Sequence, residues 1–351
     1  MYISKLNLEN FRIFKSVEIN FHAQMNLIFG ANGSGKTALI EALFYLGRGK
    51  SFRENLNSHI IQYGADYFRV IGEIVASQQK HLIGVERNRQ DYKLHINGEN
   101  ASFSALAEIL PIQIINSDLF ALITGAPENR RKFTDYGLFY RNSEFFPLWR
   151  QYQYALKNRN AALRQNWNDE FITPWNAQMA QAAEKIDVMR REWLLELEQT
   201  LNKYHEQFGA LQQLSINYRR GWTEECSLYE VLQRNLARDR EQKFTRDGIH
   251  RAEWRLYADG HDCAHYFSRG QQKTAVCALI VAQSEKIAEY TAKKPVILID
   301  DLPAELDRGR RDLIRDFLQR NNCQLFISAI EKEEINSDCA EFYLEQGRIV
   351  S

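Results

Sequence analysis

Eight consecutive residues, Gly30-Ala31-Asn32-Gly33-Ser34-Gly35-Lys36-Thr37, fit the phosphate-binding pattern G-x-x-x-x-G-K-[ST]. The spacing suits one chemistry. Glycines let the backbone wrap closely around phosphates where side chains would clash, and successive N–H groups then form an anion-binding nest. A lysine at position 36 reaches the β- and γ-phosphates, and a threonine hydroxyl at 37 ligates Mg²⁺. The expected ligands are therefore a nucleoside triphosphate and Mg²⁺. A second constellation is Asp300-Asp301, which follows the apolar run Val296-Ile297-Leu298-Ile299. Four apolar residues read as a strand buried on both faces, with two carboxylates emerging at its C-terminal end, where open α/β sheets bind ligands. Asp300 is placed to hold the Mg²⁺ shell and Asp301 to orient or deprotonate an attacking water.

Elements must position these groups. Met25–Phe29 reads as a buried strand into the loop, and Thr37–Phe44 as a helix out of it, its N-terminus aimed at the phosphates. Residues 2–21 read as two strands around Asn10-Phe11-Arg12. Three β-rich runs follow at Phe68–Ala76, Leu82–Arg87 and Tyr92–Ile96, the last ended by the hairpin signal Asn97-Gly98. They predict an antiparallel meander attached to the nucleotide-binding sheet. Near residue 140 helix formers take over. A helix near 144–166 is followed by Pro174, suited to a first helical turn. The apolar stripe Trp175, Met179, Ala182, Ile186, Met189, Trp193, Leu197, Leu201, Tyr204, Phe208 and Leu211 continues it. That stripe is about 55 Å long at 1.5 Å per residue, the length of a coiled-coil-like arm, and the two helices are expected to pack antiparallel. After residue 265 a helix to Tyr290, a strand at Pro295–Ile299, a helix near 308–320 and a strand at Gln324–Ser328 restore α/β character. The expected division is one lobe from 1–139 and 280–351, and a helical arm and second lobe from 140–279.

Composition sets the bounds. The chain has 351 residues, 44% hydrophobic and 26% charged, an ordinary globular balance with room for one large domain or two to three smaller ones. The longest clean apolar run, Ala275–Ala282, is too short to span a bilayer. The N-terminal residues Lys5, Glu9 and Arg12 do not read as a secretory signal, so no membrane association and a cytoplasmic location are expected. The five cysteines are scattered without a C-x-x-C pair, which points to reduced core thiols rather than zinc or disulfides. A formal net charge of zero makes any nucleic-acid contact a matter of local basic surface.

Two further motifs make the site composite. Ser268-Arg269-Gly270-Gln271-Gln272-Lys273 precedes an apolar helix and resembles the signature of ABC-type ATPases. It presents a hydroxyl and backbone N–H groups at a helix N-terminus, and Ser268 can also cap that helix. Ala304-Glu305-Leu306-Asp307 resembles the D-loop of the same superfamily, with alanine in place of serine. Together with Asn10-Phe11-Arg12, Gly47-Arg48-Gly49-Lys50-Ser51-Phe52-Arg53, Leu110-Pro111-Ile112-Gln113, Arg130-Arg131-Lys132-Phe133 and His250-Arg251-Ala252-Glu253, these motifs make nearly the whole chain resemble the RecF family of SMC-like ABC ATPases. The short arm separates that family from relatives with coiled coils of hundreds of residues.

The resemblance implies an α/β P-loop ATPase head and an ATP-dependent homodimer. Lys36, Thr37 and Asp300 of one molecule would hold ATP·Mg²⁺, while Ser268, Gly270 and Gln271 of the other cover the γ-phosphate. It further implies that Arg12 adds charge near the phosphates and that Gln113 belongs to a metal-sensing loop. The implied partners are double-stranded DNA, junctions of single- and double-stranded DNA, and RecR, with RecO and RecA. Asp301 stands where fast transporters carry Glu, and Ser328 where they carry histidine, which suggests slow hydrolysis. Candidate DNA contacts are Arg141, Arg150, Lys157, Arg159 and Arg164 on the first arm helix, and Arg48, Lys50 and Arg53 after the P-loop helix. The alternatives are a transporter's nucleotide-binding subunit, against which Ser328 and the arm weigh, and an interaction module that binds nucleotide only structurally.

Overall fold

A computed structural model describes residues 1–53, 59–76, 79–204, 213–300, 323–332 and 339–350. The chain first lays down β1 (Tyr2–Phe11), β2 (Phe14–Asn20), β3 (Met25–Phe29) and α1 (Lys36–Arg48). Next come β4 (Tyr67–Ala76), β5 (Gln79–Asn88), β6 (Tyr92–Ile96), β7 (Glu99–Asn100), α2 (Phe103–Ile109) and β8 (Ile112–Ile115). A helical stretch follows: α3 (Pro127–Arg141), α4 (Phe145–Arg164) and α5 (Asp169–Lys203). Then come β9 (Leu214–Arg219), α6 (Leu228–Arg234), α7 (Leu236–Gln242), β10 (Glu253–Ala258), β11 (His261–Asp262), α8 (Cys263–Tyr266) and α9 (Arg269–Thr291). Strands β12 (Val296–Ile299), β13 (Leu325–Ala329), β14 (Ala340–Glu345) and β15 (Arg348–Ile349) close it. The D-loop-like Ala304–Asp307, Asp301, and the helix expected near 308–320 lie outside the described residues.

Two compact units result, Met1–Leu119 with Ile287–Ser351, and Phe120–Lys286. The division expected at 139 and 280 differs by about one helix at the first boundary. Helix α3 packs within the second unit: Phe133 meets Trp254 at 6.2 Å between ring centroids, and a side chain at Gly137 would strike the Trp193 indole.

In the first unit the mixed sheet has the order β15-β14-β3-β13-β12-β8, with β14, β3, β13, β12 and β8 mutually parallel. The antiparallel strands form a second sheet of order β2-β1-β4-β5-β6-β7. The expected meander is therefore present, but it extends the β1–β2 pair and shares no described strand pairing with the mixed sheet. What joins the sheets is α1. Its Leu39, Leu43 and Leu46 share one core with Ile3, Leu6 and Val70 of one sheet and Ile28, Leu298 and Phe326 of the other. Gln324 adds a polar link. Its side chain accepts from the Ile3 N–H at 2.7 Å and donates to the Ile3 and His22 carbonyls at 2.8 and 2.9 Å. The Asn97-Gly98 turn has φ of 53° and 88°, the left-handed pair that matches the twist of a tight hairpin.

In the second unit α4 and α5 form an antiparallel hairpin, as their four-residue connection requires. Helix α5 begins at Asp169, so Pro174 falls inside it rather than in its first turn. Most of the expected stripe is buried, from Met179 to Leu201, against α3, α4 and α6; Phe208 and Leu211 lie outside the described residues. The stripe thus serves as the core of a bundle. Among the described residues no helix is long and apolar enough to cross a membrane. Cys263, Cys277 and Cys323 are buried, and burial pushes the first two thiols up to about 12 and the third to about 11, which leaves them unreactive.

His250 sits inside the second unit with its Nδ1 accepting from the Tyr152 hydroxyl at 2.6 Å and its Nε2 bonded to the Thr245 carbonyl at 3.1 Å. Burial lowers its pKa to about 4. The unfolded chain then binds more protons than the folded one below the ordinary histidine value, so stability present near pH 7 is lost as pH falls toward 4. A shift from 6.5 to about 4 amounts to as much as about 3 kcal/mol. Denaturant midpoints measured from pH 7 to pH 4 are expected to fall steeply for the wild type and less steeply for His250→Asn.

Candidate functional site

The P-loop leaves the C-terminal end of β3 and enters α1. Gly30 has φ 150°, and a Cβ there would lie 2.3 Å from the Leu344 carbonyl oxygen. Gly35, with φ 115°, is the residue that starts α1. Only glycine satisfies both demands, close backbone approach and a left-handed conformation. The loop is fastened from outside by the Gly347 N–H, which donates to the Ser34 carbonyl at 2.9 Å. Lys36 is buried beneath it, its ammonium donating to the Gly30 and Ala31 carbonyls at 2.7 and 3.0 Å.

Asp300 follows β12, two strands from β3 in the sheet, with β13 between them. Parallel register brings the ends of all three strands level. The Thr37 hydroxyl donates to Asp300 Oδ1 at 3.2 Å, and the Ser328 hydroxyl donates to the same oxygen at 2.8 Å. The structure thus brings Asp300 to Thr37, next to Lys36, although it lies more than 260 residues further along the sequence. Asp301 lies outside the described residues.

The residues fit the implied ligands. Ser34 Oγ is buried without a hydrogen-bond partner among the described residues, a polar atom inside the phosphate cradle. Thr37 and Asp300 offer two hard oxygens 3.2 Å apart. Adjacent corners of a Mg²⁺ octahedron with 2.0–2.1 Å bonds stand roughly 3 Å apart, and Mg²⁺ keeps several waters and binds through few protein oxygens. ATP and Mg²⁺ would therefore be held by Gly30–Thr37 and by Thr37 with Asp300.

Arg12 has a different immediate partner. Its Nε and Nη2 donate to the two oxygens of Glu41 at 2.8 and 2.7 Å, and its Nη1 donates to the His59 carbonyl at 2.8 Å. Glu41 is fully buried on α1 and also accepts from the Ser51 hydroxyl. The turn carrying Arg12 still borders the loop, since a Cβ at Gly35 would lie 3.2 Å from Ile13. Gln113 is buried in β8 in register with Ile297, three residues short of Asp300 and about 10 Å down the strand. Strand β8 continues to Ile115, whose carbonyl accepts from the Asp300 N–H at 2.8 Å, so the sheet register does not bring Gln113 to the metal oxygens.

Ser268, Gly270 and Gln271 stand on the second unit, at the start of α9. The Ser268 hydroxyl accepts from the Gln271 N–H at 3.4 Å, and the Gln271 side chain accepts from the Ser268 N–H at 2.9 Å. This reciprocal cap follows from the S-x-x-Q spacing, which identifies Gln271 as a helix-capping residue. Ser268 and Arg269 remain exposed.

Of the basic residues considered for DNA, Arg150, Lys157, Arg164, Lys50 and Arg53 are exposed. Arg48 lies over the Phe44 ring, 5.6 Å from its centroid. Arg141 is engaged by Glu192 and Glu196 at 3.0 and 2.8 Å. Arg159 is a correction: it is fully buried, paired with buried Asp239 at 2.7 Å and bonded to Thr245 and Asn176. Helical spacing put it on the α4 face that packs inward, so it anchors the bundle and is not available to DNA.

The model of the RecF/RecN/SMC N-terminal domain matches residues 2–345. The chain belongs to the RecF family. It is 36% identical to the DNA replication and repair protein RecF of Cellvibrio japonicus, covering 99% of both chains. It is 37% identical to that of Pseudomonas syringae pv. tomato, covering 99% of this chain and 98% of the other. A solved structure of the recombination mediator protein RecF-ATPrS in the RecFOR pathway superposes with a TM-score of 0.90 at 26% identity, over 99% of this chain and 97% of that one. The Smc head domain of Pyrococcus furiosus shares the fold, with a TM-score of 0.57 at 17% identity, over 94% of this chain and 90% of that one.

Two segments that carried the family resemblance meet in the second unit. Arg130 bonds Glu253 at 2.7 Å and Arg131 bonds the Ala252 carbonyl at 2.8 Å. Sequence reasoning missed Glu41, Ser51 and the tie from Ser328 to Asp300. A lone glutamate within the apolar run Ala38–Phe44 was the available signal for the first. Breaking a buried pair costs about 3–5 kcal/mol because a charge is left uncompensated. Arg12→Ala is expected to lose stability of that order in chemical denaturation, and Arg12→Ala/Glu41→Leu to recover much of it.

Proposed function

We propose that this chain is an ATP-dependent DNA-binding protein of replication and recombinational repair, working as a homodimer clamped by ATP. The observation that carries the proposal is the convergence of Lys36, Thr37 and Asp300 at the mouth of the P-loop. The exposed signature turn at Ser268 supports the other half. Its capped helix start offers a hydroxyl and N–H groups to the nucleotide of a second molecule. Arg12, bordering the loop, would add positive charge near the phosphates.

In this reading ATP favours the closed dimer by binding it more tightly than the open monomers. Duplex DNA is held by exposed Lys and Arg side chains through its phosphates, next to a single-stranded gap. Hydrolysis ends that state, with Asp301 orienting or deprotonating the water. Slow turnover makes ATP a timer for release. The relatives described as acting in the RecFOR pathway lead us to extend the reading to RecR, RecO and the loading of RecA.

Sedimentation velocity with ATP and duplex DNA tests this. Wild type is expected to pass from monomer to dimer with ATP. Lys36→Met is expected to lose ATP binding and stay monomeric, and Ser268→Arg to bind ATP without dimerising. Wild-type protein that stays monomeric with a non-hydrolysable analogue overturns the clamp. DNA affinity is expected to fall steeply with salt and to be largely independent of sequence.

A further inference from the structure

We infer that Ser328 is a positioning residue for the metal site, holding the Asp300 carboxylate in the orientation that receives Mg²⁺; this rests on the ATP·Mg²⁺ reading above. Ser328 lies on β13, the strand between β3, which carries the P-loop, and β12, which carries Asp300. All five residues of β13 are buried, and Ser328 is the only polar one among Leu325, Phe326, Ile327 and Ala329. A hydroxyl in such a strand costs about 1–3 kcal/mol unless it is hydrogen-bonded. It is bonded, and its partner is the metal-site carboxylate, at 2.8 Å.

The geometry supports more than satisfaction of a buried group. Ser328 pairs in register with Ile28, and Ile327 with Leu27 on one side and Ile299 on the other. Ser328 is thus level with Asp300, one residue past the end of the β12 pairing. The Thr37 hydroxyl reaches the same Oδ1 from the P-loop side. Two hydroxyl donors from two different elements converge on one carboxylate oxygen. Together they fix the rotation of the Asp300 side chain, and Thr37 keeps its own lone pairs for the cation. Groups that orient metal ligands from behind are worth roughly 10–100-fold in metal affinity.

The test titrates Mg²⁺ at fixed fluorescent ATP analogue and reads bound nucleotide, which separates metal use from turnover. Ser328→Ala is expected to raise the Mg²⁺ concentration for half-maximal binding about tenfold, with nucleotide bound in EDTA unchanged. Ser328→Thr, which keeps the hydroxyl, is expected to titrate like wild type, and Ser328→Cys, a weak donor of similar volume, to fall between. Thermal melting of each variant confirms the fold. Wild-type binding of nucleotide with an unaltered Mg²⁺ titration in Ser328→Ala overturns this inference alone. A wild type that binds no nucleotide at any Mg²⁺ concentration overturns the ATP·Mg²⁺ reading and this inference with it.

Discussion

Helix α1 is buried on every side, and that constraint organises the first unit. An apolar helix between two sheets closes the core, but this one also starts at the end of a phosphate-binding loop and so must carry polar groups. Its Lys36, Thr37 and Glu41 are each answered by a partner. Lys36 is met by the carbonyls of its own loop, Thr37 by Asp300, and Glu41 by Arg12 and Ser51. A buried charge without such a partner would cost several kcal/mol. The supports of the site are therefore compulsory: moving Asp300 or Arg12 would strand Ser328 or Glu41 in the core.

The same logic separates side chains left at the surface from those that build the frame. Arg12 and Arg159 looked alike in sequence, as basic residues near functional segments. Arg12 remains at the edge of the loop, with a side-chain exposure of 17%, while Arg159 has none. Ser268 and Gln271 also divide. Both cap the start of α9, but Ser268 is exposed while Gln271 is half-buried.

Much of the architecture is legible in the sequence. The P-loop, the strand before Asp300 and the Asn97-Gly98 turn are local patterns whose physics acts within a few residues. The α5 stripe was equally clear because helical periodicity repeats over many turns. Its role was less clear, since periodicity shows that a face is buried and not what buries it. Pro174 was misplaced for a related reason: a proline suits a first turn but does not forbid the second, and Asp169 and Glu170 begin the helix ahead of it. The meander was visible, but the sheet to which it belongs depends on a pairing between β1 and β4 that local sequence does not encode.

By itself the sequence determined the ligand class, because phosphate chemistry demands glycines, lysine and threonine at fixed spacing along one stretch of backbone, and it pointed to the family through the further motifs that accompany that stretch. Only the tertiary structure decided which distant residues serve that stretch. Parallel register brings Ser328 level with Asp300, 28 residues away in sequence, and keeps Gln113 in the body of its strand, while Arg12 meets Glu41 on α1, 29 residues away. Hydrogen bonds and burial act through space, and their partners are set by packing rather than by proximity in the chain.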